Sequence, residues 1–72
     1  MIELDLTGLN CPLPVLKTKK FLAEIDIGIR IKVITSDPAS LLDLQEFCTK
    51  TGHKLIEQNV QHEIITSIIE HK

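Results

Sequence analysis

Cys11 is followed by Pro12, Leu13 and Pro14, and this is where the sequence offers a nucleophile in a defined setting. A proline directly after the cysteine suits the first position of a helix, where its fixed φ is pre-set and its missing N–H costs nothing. That spacing predicts Cys11 at the cap, with the helix directing its free N–H groups at the sulfur. Asp37-Pro38 repeats the arrangement with Asp37 as an ordinary capping residue. Cysteine is not a preferred cap, and giving up Ser, Thr, Asn or Asp there costs about 0.5–2 kcal/mol, so a reactive role is the reason the position suggests.

The activation available to that sulfur is modest. A free thiol titrates near 8.5, and a helix terminus supplies about 0.3–2 kcal/mol against about 1.4 kcal/mol per pKa unit, which barely reaches neutrality. Lys17, Lys19 and Lys20 lie one to two turns down the helix and are expected to face solvent, while Asp37, if near, opposes ionisation. A moderately reactive sulfur suits accepting and handing on a group better than cleaving an unactivated amide. Pro14 stands where a Cys-x-x-Cys motif needs its second thiol, which excludes an intramolecular dithiol. No metal is expected, because Cys11, Cys48, His53, His62 and His71 show no close-spaced pair of the usual ligand kind. A Cys-His hydrolase is disfavoured because His53 follows the second helix and belongs at the opposite edge of a sheet. Cys48, beside Phe47 on an apolar stripe, reads as a small buried hydrophobe.

The elements that position Cys11 follow from periodicity. Ile2, Leu4 and Leu6 alternate with Glu3, Asp5 and Thr7 as a strand with one buried face, broken by Gly8. From Pro12 the spacing changes to Val15, Thr18, Leu22 and Ile25, a helical stripe closed by Gly28. Ile29, Ile31 and Val33 alternate with Arg30 and Lys32 up to the turn signal Ser36-Asp37-Pro38. A second helix carries Leu41, Leu44, Phe47 and Cys48 and ends with Lys50 and Gly52. Leu55–Val60 and Glu63–Ile69 are two further strands, read as a hairpin across Gln61-His62, and Ile64, Ile65, Ile68 and Ile69 leave its register open. A strand–helix–strand crossover is right-handed and parallel. The order β-α-β-α-β-β therefore predicts an α/β two-layer sandwich, a four-stranded mixed sheet with two helices on one face. Both helix N-termini then emerge at one sheet edge, bringing Cys11 and Asp37 together.

Composition bounds the function. Seventy-two residues make a single domain, residues 1–72, with a thin core and any active site at the surface. A formal net charge of -2 and only two aromatic residues, Phe21 and Phe47, argue against direct nucleic-acid binding. No apolar run is long enough for membrane insertion, and Met1-Ile2-Glu3-Leu4-Asp5 lacks the basic region and apolar stretch of a secretory signal. A cytoplasmic protein with reduced thiols is the expectation. Arg30 and Lys32 could help dock an acidic surface, although a simple solvated strand face is the favoured reading.

The stretch Asp5-Leu6-Thr7-Gly8-Leu9-Asn10-Cys11-Pro12-Leu13-Pro14 resembles the Cys-Pro-x-Pro signature of the TusA/SirA-like sulfur carriers. Ser36-Asp37-Pro38-Ala39, Asp43-Leu44 and Phe47-Cys48-Thr49-Lys50-Thr51-Gly52-His53 resemble that family's second helix, so the similarity covers nearly the whole chain. The resemblance implies the same β-α-β-α-β-β sandwich and a sulfurtransferase-type carrier in which Cys11 receives sulfane sulfur as a persulfide. It implies no cofactor. Its donors would be a cysteine desulfurase or a rhodanese-like protein. Its acceptor would be a protein serving tRNA thiolation, molybdenum-cofactor enzymes or other sulfur trafficking. Pro12 and Pro14 would stiffen the presenting loop and Asp37 would orient the sulfur or cap its helix, in a protein expected to be a monomer. The competing reading is a non-catalytic regulatory or docking module of the same fold.

Overall fold

Alternation of apolar and polar side chains sets the sheet. In the computed structural model, which describes Met1–Lys72, Ile31, Val33 and Thr35 of the second strand are buried while Arg30 is exposed on the other face. The elements are β1 (Ile2–Asp5), α1 (Leu13–Leu22), β2 (Arg30–Thr35), α2 (Ser40–Thr51), β3 (Lys54–Gln61) and β4 (Ile64–Glu70). The strand order is β1-β2-β4-β3, with β1 parallel to β2 and β4 antiparallel to both its neighbours. This is the expected mixed sheet with both helices on one face. No helix is long and apolar enough to cross a membrane.

The core lies between the layers. Leu22 of α1 and Leu44, Phe47 and Cys48 of α2 pack on Leu6, Ile31, Val33 and Ile69. Thr18 is fully buried on α1 because its hydroxyl donates to the Pro14 carbonyl at 2.8 Å, leaving the methyl to pack. The helical spacing through Ile25 overruns the helix itself. After Leu22 the chain tightens, with the Glu24 and Ile25 N–H groups reaching the Phe21 and Leu22 carbonyls, and Ile25 meets the core from a turn.

The last hairpin resolves the open register. Ile65 and Ile69 pair with β2 at Thr35 and Ile31 and share their buried face, while Ile64 and Ile68 occupy the other. The turn falls at His62-Glu63, one residue later than expected, and both residues have positive φ (51° and 65°). β3 therefore extends to Gln61, paired with Ile64, and the two left-handed residues give the turn a twist that suits a tight hairpin.

A polar clamp joins β3 to α2. Gln58 donates to the Leu41 carbonyl at 3.0 Å and the Ser67 hydroxyl at 3.1 Å, and accepts from Gln45 at 2.8 Å. At the far end of α2, Gly52 is left-handed (φ 87°), as its cap position requires. Lys72 bonds the Thr51 carbonyl, and its N–H donates to His53 Nδ1 at 3.2 Å. His53 stacks on Phe47 and meets the edge of the His71 ring. Burial, reinforced by the charges of His71 and Lys72, pushes the His53 pKa below its ordinary 6.5.

Two outcomes follow. Gln58→Ala leaves the fully buried Ser67 and the Leu41 carbonyl without this donor, so a loss of about 1–3 kcal/mol is expected in urea unfolding. A proton binds folded His53 more weakly than unfolded His53, so this stability is present above about pH 6.5 and is lost as pH falls through the lowered folded value. Thermal unfolding between about pH 7 and 5.5 should show that loss, and His53→Asn should flatten it. Asp5 and Glu70, whose carboxyls are held below their ordinary 3.8 and 4.5, act only at lower pH.

Candidate functional site

The parallel pairing of β1 and β2 continues beyond the strands and carries Cys11 with it. Leu6 N–H bonds the Ile34 carbonyl at 2.8 Å, Gly8 N–H the Ser36 hydroxyl at 2.8 Å, and Cys11 N–H the Asp37 carboxylate at 2.5 Å. Gly8 turns the chain with φ 85°, and Asp5 steadies the preceding bend by accepting from the Thr7 N–H and hydroxyl at 3.0 and 2.8 Å. Those Thr7 hydrogen bonds, the backbone one foremost, hold the Asp5 carboxyl below its usual value.

Cys11 and Asp37 are thus brought together as expected, but the capping arrangement is different. Helix α1 begins at Leu13, with Pro12 at the cap and Pro14 as its second residue, so Cys11 lies one residue before the cap. The physical reason is the supply of donors. Pro12 and Pro14 have no N–H, and the Leu13 N–H is taken up by the Asn10 carbonyl at 2.9 Å. The expected fan of N–H groups aimed at the sulfur is therefore not formed. The Cys11-Pro12 peptide is cis, and Pro14 is fully buried against the core side of the helix.

Asp37 is not the cap of α2 either, a position held by Ala39 without a side-chain bond. Its carboxylate bridges two loops instead, accepting from Cys11 N–H with one oxygen and from Ala39 N–H at 3.1 Å with the other. Its carbonyl accepts from the Ser40 N–H and hydroxyl, and Ser40 Oγ lies 2.5 Å from Thr35 Oγ1. The start of α2 is thereby fixed to the end of β2.

The thiol itself meets a residue that sequence reasoning did not assign to the site. Cys11 Sγ donates to Asp43 Oδ2 at 2.9 Å, across 32 positions of sequence. This hydrogen bond, then desolvation, then the charges of Asp43 and Asp37 hold the thiol above its ordinary value, whereas a helix terminus would lower it. Cys11 is exposed and lines a groove of about 360 Å³ between α1 and α2. Pro12, Val15 and Lys19 form one wall, and Asp43, Glu46, Phe47 and Lys50 form the other. Lys19 is exposed, as expected, and also lines this groove. His53, His62 and His71 do not. Cys48 is buried, and burial pushes its thiol up to about 11. Arg30 is paired with Glu70 at 2.9 Å on the sheet face away from the helices.

A four-stranded sheet with two helices on one face, presenting one exposed thiol on a braced loop, defines a small thiol-bearing α/β sandwich. A family model described as sulfurtransferase TusA matches residues 2–71, and the chain belongs to that family. A protein of Neisseria meningitidis described as a candidate sulfur carrier is 41% identical over 69 residues, covering 96% of this chain and 93% of that one. The sulfur carrier protein TusA of Allochromatium vinosum is 47% identical over 55 residues, 76% of this chain and 72% of its own. The crystal structure of a SirA-like protein from Desulfitobacterium hafniense matches with a TM-score of 0.85 at 30% identity, covering 97% and 96% of the two chains. The family suggested by the Cys-Pro-x-Pro stretch is the family found.

The bridging role of Asp37 is testable. Asp37→Ala removes acceptors from two loop N–H groups and should cost about 0.5–2 kcal/mol, as loss of a helix cap does. Amide exchange should rise locally at Gly8–Cys11 and Ala39 while the β2 and β4 amides stay protected. Unchanged exchange at Cys11 would refute the brace.

Proposed function

We propose that this protein is a sulfur carrier that holds sulfane sulfur as a persulfide on Cys11. The observation that carries the reading is the placement of an exposed thiol on a loop braced by three hydrogen bonds, with no histidine beside it. Such a sulfur lacks the histidine partner of a Cys-His hydrolase, and it is accessible to a second protein. Leu13 within the motif and Leu16 just after it, both exposed on α1, extend the surface available for that contact. The sulfur-carrier descriptions of the relatives support the same reading.

The transfer balances without an external oxidant. The Cys11 thiolate attacks the terminal sulfur of a donor persulfide, a Cys11–sulfur bond forms, and the donor's S–S bond breaks with its electron pair leaving on the donor thiolate. The proton from Cys11 ends on that thiolate. Attack of an acceptor thiolate on the terminal sulfur of Cys11 then returns Cys11 to its starting state. Pro12 and Pro14 stiffen the presenting loop, and Asp37 anchors its backbone. The donor is a cysteine desulfurase or a rhodanese-like protein, and the acceptor is a protein thiol.

Intact-protein mass, measured after incubation with cysteine and a desulfurase and separately with thiosulfate and a rhodanese, tests this. Wild type and Cys48→Ala should each gain one sulfur that reductant removes, and Cys11→Ala should gain none. Failure of both donors to load folded wild-type protein, or equal loading of Cys11→Ala, would overturn the assignment.

A further inference from the structure

Among the groove residues, Asp43 has a place that the transfer chemistry above does not use. It lies in the first turn of α2 and reaches across the groove to Cys11 Sγ. No lysine or arginine pairs with it: the ion pairs of this structure join Glu70 to Arg30 and to Lys54. Lys19 and Lys50 line the same groove without bonding Asp43, and Glu46 adds a second negative charge on its wall. Asp37, from the β2–α2 loop, bonds the Cys11 backbone. The groups facing the thiol are thus Asp37 from the loop, Lys19 from α1, and Asp43, Glu46 and Lys50 from α2. The closest charge is negative, and it accepts the S–H.

Sites that activate a cysteine place a cation, a histidine or a helix N-terminus beside the sulfur. Here the helix N-terminus is depleted of donors by two prolines, and a carboxylate stands at the sulfur. We infer that Asp43 is a positioning residue that locks empty Cys11 in its protonated form and turns Sγ toward α2 across the groove, so that the thiolate is released when a donor engages Asp43. This role rests on the carrier reading for its biological meaning, but its chemistry does not depend on a sulfur donor. The lock is also specific to the empty state, because in a Cys11 persulfide Sγ carries no hydrogen and cannot donate to Oδ2. The elevated thiol pKa agrees with this geometry.

The test is the pH profile of Cys11 alkylation by iodoacetamide in the Cys48→Ala background, read by mass. Asp43→Asn removes the charge and offers the thiolate an amide N–H, so its profile should move to lower pH by at least about half a unit. That is about a threefold gain in rate at pH 7, since one unit is tenfold. Glu46→Gln removes a groove charge that does not touch the sulfur and should leave the profile close to the parent's. Urea unfolding of each variant establishes that it is folded, and Asp43→Glu supplies a second variant that keeps the charge and should retain the high apparent pKa. An Asp43→Asn profile that superimposes on the parent's would overturn the lock, as would an equal shift in Glu46→Gln. Persulfide loading is not read in this experiment. A failed lock with normal loading leaves the carrier intact, and a confirmed lock without loading removes the carrier reading alone.

Discussion

The parallel alignment of β1 with β2 is the constraint on which the site depends. Parallel strands leave the sheet in the same direction, so the loops that follow them run side by side and the two helices start as neighbours. The pairing is prolonged beyond the strands by a backbone carbonyl, then a serine hydroxyl, then a carboxylate, each taking an N–H from the Cys11 loop. Side chains thus continue a ladder where the backbone of β2 has turned away. An exposed thiol needs such external support, because a short loop at the surface buries too little to hold itself in one place. The groove between α1 and α2 follows from the same alignment, since both helices cross the sheet from one edge.

Two opposing electrostatic influences meet at Cys11, and the sequence of the first helical turn decides between them. A helix beginning with ordinary residues would present several N–H donors to the sulfur and favour its thiolate. The prolines at positions 12 and 14 subtract two of those donors, and Asn10 captures the Leu13 N–H. The carboxylate of Asp43 is then the dominant group at Sγ. The same prolines therefore leave the thiol without helix activation. A first turn poor in N–H donors and a thiol turned toward a carboxylate are thus two features of one junction.

The architecture was largely legible because the strands alternate cleanly and the helices have closed stripes. The strand order was not, since the isoleucines of β4 lie on both faces and only the pairing with β2 assigns Ile65 and Ile69 to the core. Cys11, its prolines and its closeness to Asp37 followed from the repeated strand-to-helix junction, but the caps did not. A side-chain acceptor can serve a neighbouring loop as readily as its own helix, and Asp37 does so. Asp43 was illegible for a different reason. It stood only within the stretch that resembles the family's second helix, and its contact with Cys11 exists only once α1 and α2 pack. Lys19 is exposed as its helical position implied, but its place on the groove wall was hidden in the same way.

The two cysteines show how one side-chain type is divided between structure and chemistry. Both thiols are held above their ordinary value, yet by causes of different kind. Cys48 is raised by burial among Leu44, Phe47 and Ile69, and only unfolding could relieve it. Cys11 is raised chiefly by one hydrogen bond at an exposed position, and that bond competes with any other partner that Asp43 or the sulfur can find. A buried thiol is silenced permanently, whereas a thiol restrained by a single surface carboxylate is silenced conditionally. Restraint at the surface is therefore open to competition in a way that burial is not, and the proposed role of Asp43 rests on that difference.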